Sequence, residues 1–159
     1  KKNKIDERTP FVEKLINKCP NIIFDIYGFN NREPVWGEDF YKSINNSKMG
    51  LNLSRGKPLR YLTSNRIASL VGNGLLTFVD EKTQLNDFFN DNELIFYKNV
   101  DDLSNKILYF KNNDNKRIQF AKKGREKYFL LFESQNICNY MLSIIFDMKI
   151  KQKLKWMDS

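Results

Sequence analysis

The chain has 159 residues, of which 41% are apolar and 14% aromatic, and 27 Lys and Arg against 19 Asp and Glu give a net charge of +8. It has two cysteines, Cys19 and Cys138, and no histidine, which disfavours zinc sites and Cys-His nucleophiles. No run of about eighteen apolar residues and no charged-then-apolar leader marks a membrane span or a secretion signal, so one globular cytoplasmic domain over 1–159 with reduced thiols is expected.

In chain order, "RTPFVEKLINKC" reads as a helix, with Thr9 as N-cap, Pro10 at the first helical position, and Phe11, Leu15 and Ile16 on one face. "NIIFDIYGF" is an apolar, β-branched run closed by Gly28 and is expected to be a buried strand. A loop with Pro34 and Gly37 leads to a short helix in "EDFYKSINNSK" and a brief strand in "MGLNLS". A helix from about Thr63 to Asn73 follows, then the strand "LLTFV", a helical turn in "TQLNDFF" and the strand "ELIFY". "NVDDLSNKILYFKN" reads as a helix with Asp101 and Asp102 at the positive end of its dipole and Lys111 near the other. Helices over about 114–131 and 133–150 close the chain.

Strands alternating with helices at this spacing predict an α/β fold: a Rossmann-like, open, mainly parallel sheet with helices on both faces and two terminal helices. In such sheets ligands lie beyond the carboxyl ends of the strands. That directs attention to "GFNNREPVW", "SRGKPLRYLTSN" and "DEKTQ".

The second of these loops enters the 63–73 helix. Thr63, Ser64 and Asn65 can each cap it, and its first N–H groups make an anion site. Arg66, Ser69 and Asn73 share one face of that helix, while Ile67, Leu70 and Val71 share the face needed for packing. Arg55, Lys57 and Arg60 add charge suited to phosphate oxygens. The same residues also fit a well-capped surface helix with no ligand, ended by Gly-Asn-Gly.

The whole run resembles the C-terminal half of GT-B glycosyltransferases, in particular group-1-type enzymes related to spore-maturation glycosyltransferases. The likeness covers about 20 to 150 and rests on Arg66, Gly74, Glu93, Tyr97, Leu103, Ile107, Arg117, Ala121 and Gly124. It implies a Rossmann-like half-enzyme that binds a nucleotide-diphospho-sugar, UDP- or GDP-linked, as substrate, with no cofactor and no metal. The diphosphate would lie on Arg55, Lys57, Thr63, Ser64, Asn65 and Arg66. Ribose and base would lie against Gly28, Phe29, Ser69 and Asn73.

Ser69 and Tyr61 stand where related enzymes carry Glu, and Arg8 matches the family's helix-start Arg. The chain opens on Lys1 rather than Met, and the resemblance implies that a first strand and an acceptor-binding half, with the acceptor-activating base, lie upstream. The chain is therefore expected to be part of a longer two-domain enzyme, incomplete for catalysis by itself.

The Lys-rich tail "IKQKLKWMDS" suggests a weak contact with the inner membrane surface, a return to the N-terminal half, or a frayed end. Two alternatives stand beside the donor-binding reading. One is a basic nucleic-acid-binding module using Phe29, Trp36 and Tyr61, with nucleic acid the less favoured partner. The other is an α/β interaction domain with a decayed site.

Overall fold

The computed structural model describes residues 8–29, 31–62, 64–150 and 154–158. Three parallel strands form an open sheet in the order β1 (Met49–Asn52), β2 (Leu76–Asp80), β3 (Ile95–Tyr97). Met49 pairs with Leu76 and Phe78 with Ile95, so Asn52, Asp80 and Tyr97 finish the strands along one carboxyl edge. Among the described residues six α-helices accompany the sheet: α1 (Arg8–Lys18), α2 (Gly37–Asn46), α3 (Asn65–Gly72), α4 (Val100–Asn112), α5 (Asp114–Phe132) and α6 (Ser134–Ile145). Short 3-10 turns follow β2 at Glu81–Thr83 and Leu85–Asp87.

The period of two along the strands divides the core. Leu76, Phe78, Ile95 and Tyr97 point to one face, where they meet Leu15 of α1, Cys19 just past its end, and Leu103, Ile107 and Phe110 from α4. Val79 and Phe96 point to the other, where they join Ile67 and Val71 of α3, Phe89 and Leu131. With both faces covered, β2 is buried at every position but its last. Each fully buried Leu or Ile in these layers is worth roughly 1.5–3 kcal/mol over its exposed state.

The helix boundaries have local causes. Asn99 accepts from the backbone N–H groups of Asp101 and Asp102, both at 3.0 Å, and caps α4. At the end of α3, Gly74 takes φ of 79° and its N–H bonds to the Val71 carbonyl at 2.9 Å. The Arg125 Nε also donates to the Gly72 carbonyl at 2.8 Å, a cation placed at the negative end of the dipole.

The residues "R..iA..G" of α5 explain themselves structurally. Arg117 is held by Asp114 at 2.9–3.0 Å and donates to the Lys48 carbonyl at 3.1 Å, which ties α5 to the residue before β1. One and two turns on, Ala121 and Gly124 are buried, and a Cβ at Gly124 would collide with the Glu93 carbonyl oxygen. Gly124 is what lets α5 lie on the backbone leading into β3.

Three expectations need correction. Thr9 does not cap α1, because Arg8 is already helical and Thr9 and Pro10 lie within the helix. The segment "NIIFDIYGF" is not a strand. It keeps a period-two pattern, with Ile22 and Phe24 packed on the first core layer, but Ile23 is 93% exposed and the run joins no ladder. A strand needs a neighbouring edge for its N–H and C=O groups and a layer over its second face; here the second face, at Ile23, is open to water. The last helix also ends earlier than residue 150. Asp147 adopts φ of 51°, and the Met148 N–H reaches back to the Ser143 carbonyl at 2.9 Å, a left-handed cap that stops α6 at Ile145. Beyond it Trp156 docks on the body, donating to the Leu131 carbonyl at 2.7 Å and stacking on Phe132. The tail's Lys151 and Lys153 lie outside the described residues.

Candidate functional site

The start of α3 sits at the carboxyl end of β1. Asn52, buried as the last residue of that strand, accepts a hydrogen bond from the Ser64 hydroxyl at 3.3 Å. One residue on, the Leu53 carbonyl accepts from Arg66 Nη1 at 2.6 Å. Ser64 occupies the N-cap position in extended backbone, yet its hydroxyl is turned to Asn52 and makes no capping bond. Ser64 thus leaves the first N–H groups of α3 without its own cap, a state that suits an anionic ligand. Thr63 lies outside the described residues.

A second helix start faces the first. The Arg8 charge reaches Arg66, whose guanidinium is pushed below its ordinary pKa by burial first and by Arg8 second. It still carries its charge at neutral pH. Phe11, in the first turns of α1, lies 6.0 Å ring to ring from Tyr97 at the end of β3, so α1 also begins at the carboxyl edge.

The sequence of these first turns is unusual within the molecule. Helices α2, α4 and α5 carry Glu38 and Asp39, Asp101 and Asp102, and Asp114 there, as the positive end of the dipole favours. The first turns of α1 and α3 have no acidic residue and carry Arg8 and Arg66 instead. A cation near the positive dipole end of α3, with the Arg8 charge close by, is an electrostatic cost on the order of 0.3–1 kcal/mol. An anion in that place offsets it.

The other expected site residues are distributed as follows. Arg55 and Lys57 stand exposed on the loop between β1 and α3, with Gly56 between them at φ of 74°. Asn65 is the exposed first residue of α3. Ser69 gives its hydroxyl to the Asn65 carbonyl at 2.8 Å, and Asn73 gives its amide to the Ser69 carbonyl at 2.7 Å. Asn73 lies roughly 12 Å along the axis from Asn65, at the opposite end of the helix.

Gly28 and Phe29 form a tight turn. Gly28 takes φ of 71° and donates to the Arg32 carbonyl at 2.8 Å, and Arg32 returns a bond to Phe29 at 3.0 Å. The structure therefore brings Ser64, Asn65 and Arg66 together at the strand ends and places Ser69 and Asn73 progressively away from them.

Arg60 and Tyr61 belong to the support of the loop. Tyr61 has φ of 57°, donates its N–H to the Thr83 carbonyl at 2.8 Å and its hydroxyl to Asp87 at 2.6 Å, and packs its ring on Phe88. Arg60 lies over that ring, 4.4 Å from its centroid.

Sequence reasoning did not single out Asn52, although a polar residue inside the apolar run "MGLNL" is a legible signal. It assigned Arg8 no place beside Arg66, because nothing local relates positions so far apart in the chain. Among the described residues no group of three or more Cys, Asp or Glu side chains could hold a metal ion, and no helix is long and apolar enough to cross a membrane.

Comparison with known proteins gives one finding. A family model described as glycosyl transferase-like matches residues 8–143, the greater part of the chain. No curated protein and no solved structure gives a significant match.

Proposed function

The chain belongs to the glycosyl transferase-like family, and on that premise we propose that it is the donor-binding part of a GT-B-type glycosyltransferase that transfers a sugar from a nucleotide diphosphate. The donor's diphosphate lies across the starts of α1 and α3, against Arg8, Arg66, Ser64 and the backbone N–H groups of α3. Arg55 and Lys57 close over it from the loop. The nucleoside extends toward the turn at Gly28 and Phe29.

The observation that carries this reading is the placement of Arg8 and Arg66, where α2, α4 and α5 carry acids, beside the start of α3, at which Ser64 makes no capping bond. In the reaction the bond from the sugar's anomeric carbon to the diphosphate oxygen breaks, and the leaving diphosphate gains negative charge. Preorganised N–H groups and guanidinium ions stabilise that charge without reorganisation. The acceptor and the base that activates it belong to the remainder of the enzyme.

The test is calorimetric titration of the chain with UDP and with GDP, beside Arg66→Ala. A loss of about 1.5–3 kcal/mol in the variant is expected for removal of a charge-assisted bond. Undiminished binding by the variant, or no binding of either nucleotide by the native chain, overturns the proposal.

A further inference from the structure

Tyr97 ends β3 and Asp80 ends β2, and the two are direct partners across the ladder at its carboxyl edge. By the strand period of two, Asp80 projects to the same face of the sheet as Phe78 and Tyr97, the face that α1 covers. Tyr97 is 1% exposed, yet its hydroxyl has no hydrogen-bond partner among the described residues. Asp80 is half-buried; its Oδ1 accepts from the Lys82 N–H at 2.9 Å, and its Oδ2 carries no bond among the described residues. The large majority of buried side-chain polar atoms are paired. A buried donor and an acceptor that face the same side without meeting are a place for a third group that bonds both.

We propose that Tyr97 and Asp80 recognise the carbohydrate part of the donor: a sugar hydroxyl donates to Asp80 Oδ2 and accepts from the Tyr97 hydroxyl. This rests on the donor-binding reading and deepens it. The chemistry of the pair selects the ligand. Burial first, and the Asp80 charge second, raise the pKa of Tyr97, so at neutral pH it offers a hydrogen. A phosphate oxygen could accept that hydrogen but is repelled by the carboxylate; an ammonium group could satisfy the carboxylate but accepts nothing from Tyr97. A hydroxyl does both.

Position agrees with chemistry. The Phe11 ring lies 6.0 Å from that of Tyr97, Arg8 precedes Phe11 by three residues on one side of α1, and the Arg8 charge reaches Arg66. The pair is therefore next to the place given to the diphosphate, and in a nucleotide sugar the diphosphate is flanked by carbohydrate on both sides, the ribose and the transferred sugar. Phe11 is half-buried, and it is the side chain that the ligand turns aside to reach the hydroxyl.

The experiment is calorimetric titration of the native chain, Tyr97→Phe and Asp80→Asn with UDP, GDP, UDP-glucose, UDP-N-acetylglucosamine and GDP-mannose, with a thermal melt of each variant. Phe keeps the ring, and Asn keeps an oxygen for the Lys82 N–H. The expected result is affinity lowered at least about threefold in Tyr97→Phe and about tenfold in Asp80→Asn, with no fall in the melting temperature of Tyr97→Phe. A loss equal for the nucleoside diphosphates and their sugar conjugates assigns the pair to the ribose; a loss confined to the conjugates assigns it to the transferred sugar. Native affinities in both variants, the result if Tyr97 only fills the core or holds an internal water, overturn the proposal and leave the donor-binding reading standing. A lower melting temperature in Tyr97→Phe also overturns it, since the hydroxyl would then be bonded within the free chain. No binding of any of these compounds by the native chain overturns both readings. If Asp80→Asn does not fold, Tyr97→Phe decides.

Discussion

Arg66 donates through Nη1 to the Leu53 carbonyl oxygen at 2.6 Å, fastening the first turn of α3 to the end of β1. The same guanidinium crowds Arg8 and the positive end of its own helix. For Arg66→Gln two effects on stability oppose each other. The lost bond costs about 0.5–1.5 kcal/mol, and relief of the cation at the dipole returns about 0.3–1 kcal/mol. The expected outcome is an unliganded melting free energy within about 1 kcal/mol of native by calorimetry, with nucleotide affinity reduced tenfold or more. A variant that loses affinity only because it unfolds would contradict this.

Two residues in N-cap positions are predicted to differ. Asn99 bonds both the Asp101 and Asp102 N–H groups, whereas Ser64 makes no capping bond. Asn99→Ala should cost about 1 kcal/mol in urea unfolding, and Ser64→Ala should cost less, since it removes only the contact with Asn52. Equal losses would mean that Ser64 caps α3 in solution.

Glycine substitutions separate rigid from yielding neighbours. A Cβ at Gly124 meets the backbone carbonyl of Glu93, while one at Gly50 meets the end of the Leu70 side chain. Gly124→Ala is expected to destabilise by about 1–3 kcal/mol or more, because α5 must lift from the strand entry. Gly50→Ala should be milder, since Leu70 can change rotamer. Thermal melts of the two variants provide the comparison.

Alkaline stability should depend on Tyr97. Its hydroxyl is buried without a hydrogen-bond partner among the described residues, and burial first, then the Asp80 charge, raises its pKa well above the ordinary phenol value. The unfolded chain ionises this tyrosine near pH 10 while the folded chain keeps the proton. Tyr97 thus contributes stability that is complete below about pH 10 and is lost as pH rises further. Tyr97→Phe should flatten that alkaline decline and raise stability at neutral pH by about 1 kcal/mol, since an unsatisfied hydroxyl is removed. Melting temperatures from pH 7 to pH 11 test both parts.

The sequence by itself determined the elements whose causes are local. Phe11 and Leu15 on one face gave α1; Asn99 followed by two aspartates gave α4; and the apolar runs at 75–79 and 94–97 gave β2 and β3, because periodicity and capping act within a few residues. Only the tertiary structure decided the features that need a distant partner. Residues 21–29 have the composition of a strand, but a ladder requires an edge that no local pattern supplies. Ser64 reads as a cap from its neighbours, but Asn52 takes its hydroxyl. The approach of Arg8 to Arg66 depends on where two helices begin relative to one sheet edge, which is set by the crossing of the chain between them. The site was legible as a loop and a helix start; its second cation was not, because charge acts through space and sequence pattern acts along the chain.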